Sequence, residues 1–126
     1  MSTWTHINAS IRFDGIFQEE LPTEKDLGKM CKWEDEDYSH WDNAELPCGS
    51  EGSIEYRIIK NEIPDCLATM VVVFYGDLRD YDDIEEVLSY FIRITNGRFI
   101  RSGILEIVVG DETQVFKYEN KQWNLI

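Results

Sequence analysis

The chain reads as an α+β domain of the ferredoxin-like split βαβ kind. The expected order is β-α-β-β-α-β plus an extra C-terminal strand, with an antiparallel sheet carrying two helices on one face. Three observations predict this. Segments that alternate apolar and polar residues recur along the chain. One long segment between them repeats its apolar residues at three- and four-residue steps. The order of these segments fits the split pattern, with an all-antiparallel sheet and a single packed helix as the alternative. At 126 residues the chain suits one globular domain spanning 1–126, and its 43% hydrophobic and 13% aromatic content supports a core despite 29% charged residues.

The first segment, Thr5 to Phe13, places Ile7, Ala9, Ile11 and Phe13 on one side and His6, Asn8, Ser10 and Arg12 on the other. That is a strand with one buried face, ended by Asp14-Gly15. A short helix follows, with Thr23 as N-cap and Asp26 three residues on as an approximate capping box. Leu27, Met30 and Cys31 share its apolar face, and Gly28 weakens it by about 1 kcal/mol relative to Ala. From about 34 to 53 there is no period, and Pro47, Gly49 and Gly52 break the chain. A connection of roughly 20 residues without structure is unusual in a compact domain and is often functional.

Ile54 to Lys60 reads as a strand, Asn61 to Asp65 as a turn around Pro64, and Leu67 to Tyr75 as another strand. Met70-Val71-Val72-Val73-Phe74 is apolar on both faces, which predicts a central strand covered on both sides. Tyr81 to Asn96 is the principal helix: Ile84, Val87, Leu88, Phe91 and Thr95 form its apolar face, and Gly97 stops it. Asp80, Asp82, Asp83, Glu85 and Glu86 crowd its start, where negative charge suits the helix dipole. After Gly103, Ile104 to Val109 and Thr113 to Tyr118 form a hairpin turning at Gly110-Asp111-Glu112. Gln122 to Ile126 adds a last short strand.

The acid is unevenly spread. Residues 14–86 hold 21 Asp and Glu against 6 Lys and Arg, whereas the flanks hold 4 acids and 6 bases, within a total of −13. Such a field steers association with basic partners and opposes nucleic acid or an anionic membrane. No apolar run approaches the roughly 18 residues of a membrane span. The start, Met1 to His6, lacks the basic and apolar parts of a signal peptide. Cys31, Cys48 and Cys66 are odd in number and widely spaced, which suits reduced thiols. The expected compartment is the cytoplasm, the host bacterium's if the chain is phage-encoded.

Several constellations compete as sites. Trp33 to Asp42 joins five acids with three large aromatics. Glu34, Asp35, Glu36, Asp37 and Asp42 can occupy phosphate-binding sites of a partner while Tyr38 and Trp41 anchor; the structural alternative is a solvated loop pinned by its tryptophans. Asp77, Asp80, Asp82 and Asp83 offer carboxylate oxygens to a hard cation. However, the D-x-[DN]-x-[DN]-G signature is absent, and a helix start explains these acids, so they are read as capping groups whose Asp80, Asp82 and Asp83 add to a partner surface. Cys48, eight residues after His40, raises a Cys–His nucleophile, but no orienting third residue accompanies it. Zinc spacing, Gly-rich phosphate loops and hydrolase motifs are absent. Neither metal nor cofactor is expected. Arg93, Arg98, Arg101, Lys117 and Lys121 form only a modest basic tract, so direct nucleic-acid binding is not expected. The open sheet face carrying His6, Asn8, Ser10 and Arg12, beside Glu55 and Arg57, is either an ordinary wet face or a surface for a homodimer.

In general character the chain resembles the small acidic inhibitors encoded by phages, the anti-CRISPR proteins especially. The resemblance lies in size, in the charge of 14–86, in the acidic-aromatic loop 33–42 and in the lack of catalytic motifs. It implies a non-catalytic, stoichiometric blocker, a nucleic-acid mimic that occupies the basic groove of a CRISPR effector or another defence nuclease. Two other classes fit: an immunity protein neutralising a bacterial toxin nuclease, and a small enzyme using Cys48 or the Asp77–Asp83 cluster.

Overall fold

The computed structural model describes residues 2–30, 45–60 and 68–126. The alternation of the first segment becomes alternating burial in β1 (Trp4–Gly15), where Thr5, Ile7, Ala9, Ile11 and Phe13 are buried and the residues between them face out. β1 pairs antiparallel along its length with β3 (Ala68–Arg79) and with β4 (Phe99–Val109). β2 (Glu55–Lys60) pairs with the far side of β3, while β5 (Glu112–Glu119) and β6 (Gln122–Leu125) extend the sheet beyond β4. The result is an α+β fold: among the described residues, a six-stranded antiparallel sheet in the order β2-β3-β1-β4-β5-β6, with two helices. β1 lies between β3 and β4, and β3 lies between β1 and β2.

A 3₁₀ turn at Gln18–Glu20 precedes α1, which spans only Glu24–Leu27. The expected capping box is present: the Asp26 amide donates to Thr23 Oγ1 at 3.3 Å and the Thr23 amide donates to Asp26 Oδ2 at 2.8 Å. The helix is shorter than its apolar spacing predicts, because Gly28 takes φ +102° and ends it before Met30. Side chains of two other elements satisfy the carbonyls at this end, which have no intrahelical partner. Tyr90 Oη donates to the Leu27 carbonyl and Tyr56 Oη to the Gly28 carbonyl, each at 2.7 Å.

α2 (Ile84–Thr95) is capped by Asp83, whose Oδ1 accepts from the Glu86 amide at 3.0 Å. It buries Val87, Tyr90, Phe91, Ile94 and Thr95. Phe91 meets Phe74 of β3 edge-to-face at 5.0 Å between ring centroids, Tyr90 at 5.2 Å and Trp123 of β6 at 6.0 Å. Gly103 makes room for the last of these, since a Cβ there would lie 2.8 Å from the Trp123 ring. Leu27 of α1 joins the same core as the α2 residues.

β3 departs from expectation. Met70, Val72 and Phe74 are buried beneath α2, but Val71 and Val73 are only half-buried on the opposite face, where no described helix lies. The apolar run therefore does not reflect cover on both sides among the described residues. No helix among them is long and apolar enough to cross a membrane.

Truncating Phe91 to Ala should cost about 3–5 kcal/mol, measured by denaturant unfolding, because a large ring is lost from several edge-to-face contacts. Hydrogen bonds from Thr23, then the Arg98 guanidinium, hold the Asp26 carboxyl below its ordinary value. A lowered folded-state pKa gives stability that is present above the unfolded value and lost as pH falls. Asp26→Asn should accordingly be less stable than the wild type at neutral pH, with the difference closing in acid, as followed by thermal unfolding across pH.

Candidate acidic interface

β3 ends and α2 begins at one end of the sheet, and the connection between them is short and acidic. Over 77–86 six carboxylates stand against a single guanidinium, that of Arg79. Short pairing brings in further acids. The β4–β5 turn, with Asp111 and Glu112, reaches this end through the Gly110 amide, which donates to the Trp4 carbonyl at 3.5 Å. Glu51 arrives with the turn at 48–53, whose Cys48 and Ser53 form an isolated β-bridge.

That turn lies directly on the backbone of β3. The Ser50 amide donates to the Arg79 carbonyl and the Arg79 amide donates to the Glu51 carbonyl, both at 2.9 Å. A Cβ at Gly49 would lie 2.3 Å from the Arg79 carbonyl oxygen, and one at Gly52, which has φ +79°, would lie 1.9 Å from that of Asp77. Two glycines are thus required for this close approach. Arg79 donates from Nη1 to Glu51 Oε1 at 2.9 Å and from Nε to Ser2 Oγ at 3.1 Å, so the lone guanidinium of this stretch is engaged within the protein.

The carboxylates divide into fixed and outward-facing groups. Asp83 caps α2, and Asp80, at φ +54°, accepts from Ser50 Oγ at 2.8 Å. Asp77 Oδ1 lies 2.6 Å from His6 Nδ1. Asp82, Glu85 and Glu86 are exposed at the start of α2, where the helix dipole stabilises negative charge. Beneath them Tyr81 is buried with its hydroxyl close to Glu86, while the Thr5 hydroxyl donates to its carbonyl. Burial first, then the charges of Glu86 and Asp83, push the Tyr81 phenol far above its ordinary range.

Of the residues singled out in the sequence, Asp80, Asp82 and Asp83 meet here, two of them with internal roles. Glu34, Asp35, Glu36, Asp37, Tyr38, Trp41 and Asp42 lie outside the described residues, as do Cys31, His40 and Cys66. Cys48 is half-buried in the bridged turn and lines a groove of about 400 Å³ with Glu45, Glu86 and Arg93. Glu51 and its turn were not singled out as site residues, although Gly49 and Gly52 in Pro47-Cys48-Gly49-Ser50-Glu51-Gly52 were a legible signal of close packing. Glu55 and Arg57 share the open face with His6, Asn8, Ser10 and Arg12, but β3 separates them. Arg98, Arg101 and Lys121 gather at the opposite end, where Arg98 pairs with Asp26 at 3.3 Å and Arg101 with Asp14 at 2.7 Å. No group of three or more His, Cys, Asp or Glu among the described residues is placed to hold a metal ion.

No protein-family model matches the chain, and neither a curated protein nor a solved structure matches it.

Gly52→Ala should destabilise the fold by more than about 1 kcal/mol, since the new Cβ meets carbonyl oxygen and the residue needs positive φ. Unfolding in denaturant checks this, and Ser50→Ala, which removes only a hydroxyl from the same turn, should cost less.

Proposed function

We propose that this chain is a non-catalytic acidic binding protein that blocks the basic nucleic-acid-binding surface of a partner. In this reading it acts as an anti-CRISPR-type inhibitor of a CRISPR effector or another defence nuclease, its carboxylates standing in for phosphates. The observation that carries the reading is the gathering of Asp77, Asp80, Asp82, Asp83, Glu85 and Glu86 at one end of the fold, around a helix start and a turn pinned by backbone hydrogen bonds. Carboxylates held on such a frame meet a Lys- or Arg-lined groove with little ordering cost. Rim charges of this kind chiefly raise the association rate. A CRISPR effector or nuclease offers such a groove, because it must hold a polyanion in a positively charged channel.

The scaffold belongs to the proposal in its finer form: a ferredoxin-like split βαβ core. Its support is the interleaving of the two crossovers, β1 to β2 around β3 and β3 to β4 around β1. The six-stranded order departs from a four-stranded sheet of that type by adding β5 and β6 at the β4 edge.

The test begins with affinity capture of the partner from bacterial lysate and continues with the purified pair. Asp82→Asn with Glu85→Gln should slow association several-fold and flatten its salt dependence while leaving dissociation nearly unchanged. Nucleic acid should compete with the chain for the partner. A partner that binds nucleic acid and this chain together, each with unaltered affinity, would overturn the proposal.

A further inference from the structure

The sheet face opposite α2 carries a pattern that fits a second copy of the same chain. Registers across β2, β3, β1, β4 and β5 align its residues in rows that run perpendicular to the strands. One row contains Glu55, Tyr75, Asn8 and Glu106, and the next contains Arg57, Val73, Ser10, Ile104 and Lys117. The row outside the first holds Asp77 beside His6, and the row outside the second holds Ile59, Val71 and Arg12. Within these four rows the charges are Glu55, Asp77 and Glu106 on one side of a midline, and Arg57, Lys117, Arg12 and Glu119 on the other. Glu119 is two residues beyond Lys117 on β5 and holds it at 2.7 Å. Four acids against three bases leave the face nearly neutral, in a chain whose total is −13. Beyond them Asp14 is enclosed by Arg12 and Arg101, at 3.3 and 2.7 Å.

Interspersed with these charges the face carries apolar side chains open to solvent: Ile59 is 59% exposed, Tyr75 51% and Ile104 44%. Strands of 12, 12 and 11 residues form its centre. At about 3.3 Å per residue and about 4.8 Å per strand, the face is on the order of 35 by 25 Å, close to the ~800 Å² per partner of a stable interface.

We propose that two copies pack back to back through this face as an isologous dimer. A two-fold axis lying in the plane of contact, across the strands and along the midline between the two central rows, exchanges the acidic and basic sides. Glu55 of one copy then faces Arg57 of the other, and the sheets stack in the aligned arrangement about 10 Å apart. The same operation sends the two acidic ends to opposite ends of the assembly, which keeps their strong negative fields apart. Apart from Asp77, which the two surfaces share, the acidic ends stay uncovered, so the dimer stands independently of the partner proposed above.

Light scattering and sedimentation of the full chain should give twice the monomer mass of 14.8 kDa. Arg57→Glu and Glu55→Arg singly should each weaken self-association at least about tenfold, because like charges then face one another. Combining them in one chain restores opposite charges and should restore the dimer, with thermal unfolding confirming that each variant folds. A wild-type chain that stays monomeric as its concentration rises would overturn the proposal. So would single variants that dimerise normally, or a double variant no tighter than either single one.

Discussion

The contact between Phe74 and Phe91, edge-to-face at 5.0 Å, is the constraint from which the rest of the architecture follows. Phe74 lies in β3 near the middle of the sheet and Phe91 in the third turn of α2, so their contact sets where the longer of the described helices sits. Tyr90 and Trp123 close around the same ring, tying β6 and, through the Tyr90 hydroxyl, the end of α1 to the helix. Ring pairs of this geometry contribute about 0.5–1.5 kcal/mol beyond the area they bury. Their larger effect here is to make the core one-sided: described cover lies on one face, and the other is left with half-buried valines.

With α2 held there, its N-terminus must lie where β3 ends. The short link from Arg79 to Asp83 leaves no alternative, and this concentrates carboxylates at one end of the molecule. Two effects offset the repulsion among them. The helix dipole and the capping bond of Asp83 stabilise negative charge at the start of α2. Glu51 and Asp80 draw on the one guanidinium nearby, at 2.9 and 4.0 Å. Capping and partner binding are thus not competing explanations for these acids. Asp83 serves the helix, while Asp82, Glu85 and Glu86, which accept no hydrogen bond that the helix needs, project outward.

The opposite end shows how the same composition is used differently. Asp14 is buried between Arg12 and Arg101, where a bulge in β4 supplies the second guanidinium. Asp26 is tied to its own helix start and to Arg98. The basic tract visible in the sequence is therefore largely consumed in pairs with local acids. Among the described residues, acids without such pairs collect at the α2 end.

Much of the fold was legible in local patterns. A period of two disclosed β1 and the face it buries, the Thr23 and Asp26 pair disclosed a helix start, and spacing from Ile84 to Thr95 disclosed α2 to within a few residues. These are short-range properties, governed by backbone geometry and capping chemistry within one turn or one strand. The length of α1 was not legible, because Gly28 ends it at a spot where Glu45 and Leu46, distant in sequence, pack against the glycine. Nor was the one-sided cover of Val71 and Val73 readable, since an apolar run does not say how many layers will face it. The sequence alone thus determined the order of strands and helices and that negative charge would dominate 14–86. It did not determine that β3 runs on past Tyr75 to Arg79 or that β4 begins at Phe99, ahead of Gly103. Only the tertiary structure decided that Glu51 joins Asp77–Glu86 at one end and that the Glu55 and Glu106 row lies beside the Arg57 and Lys117 row on the open face. Both depend on long-range strand register, which is set by pairing between residues tens of positions apart and leaves no local trace.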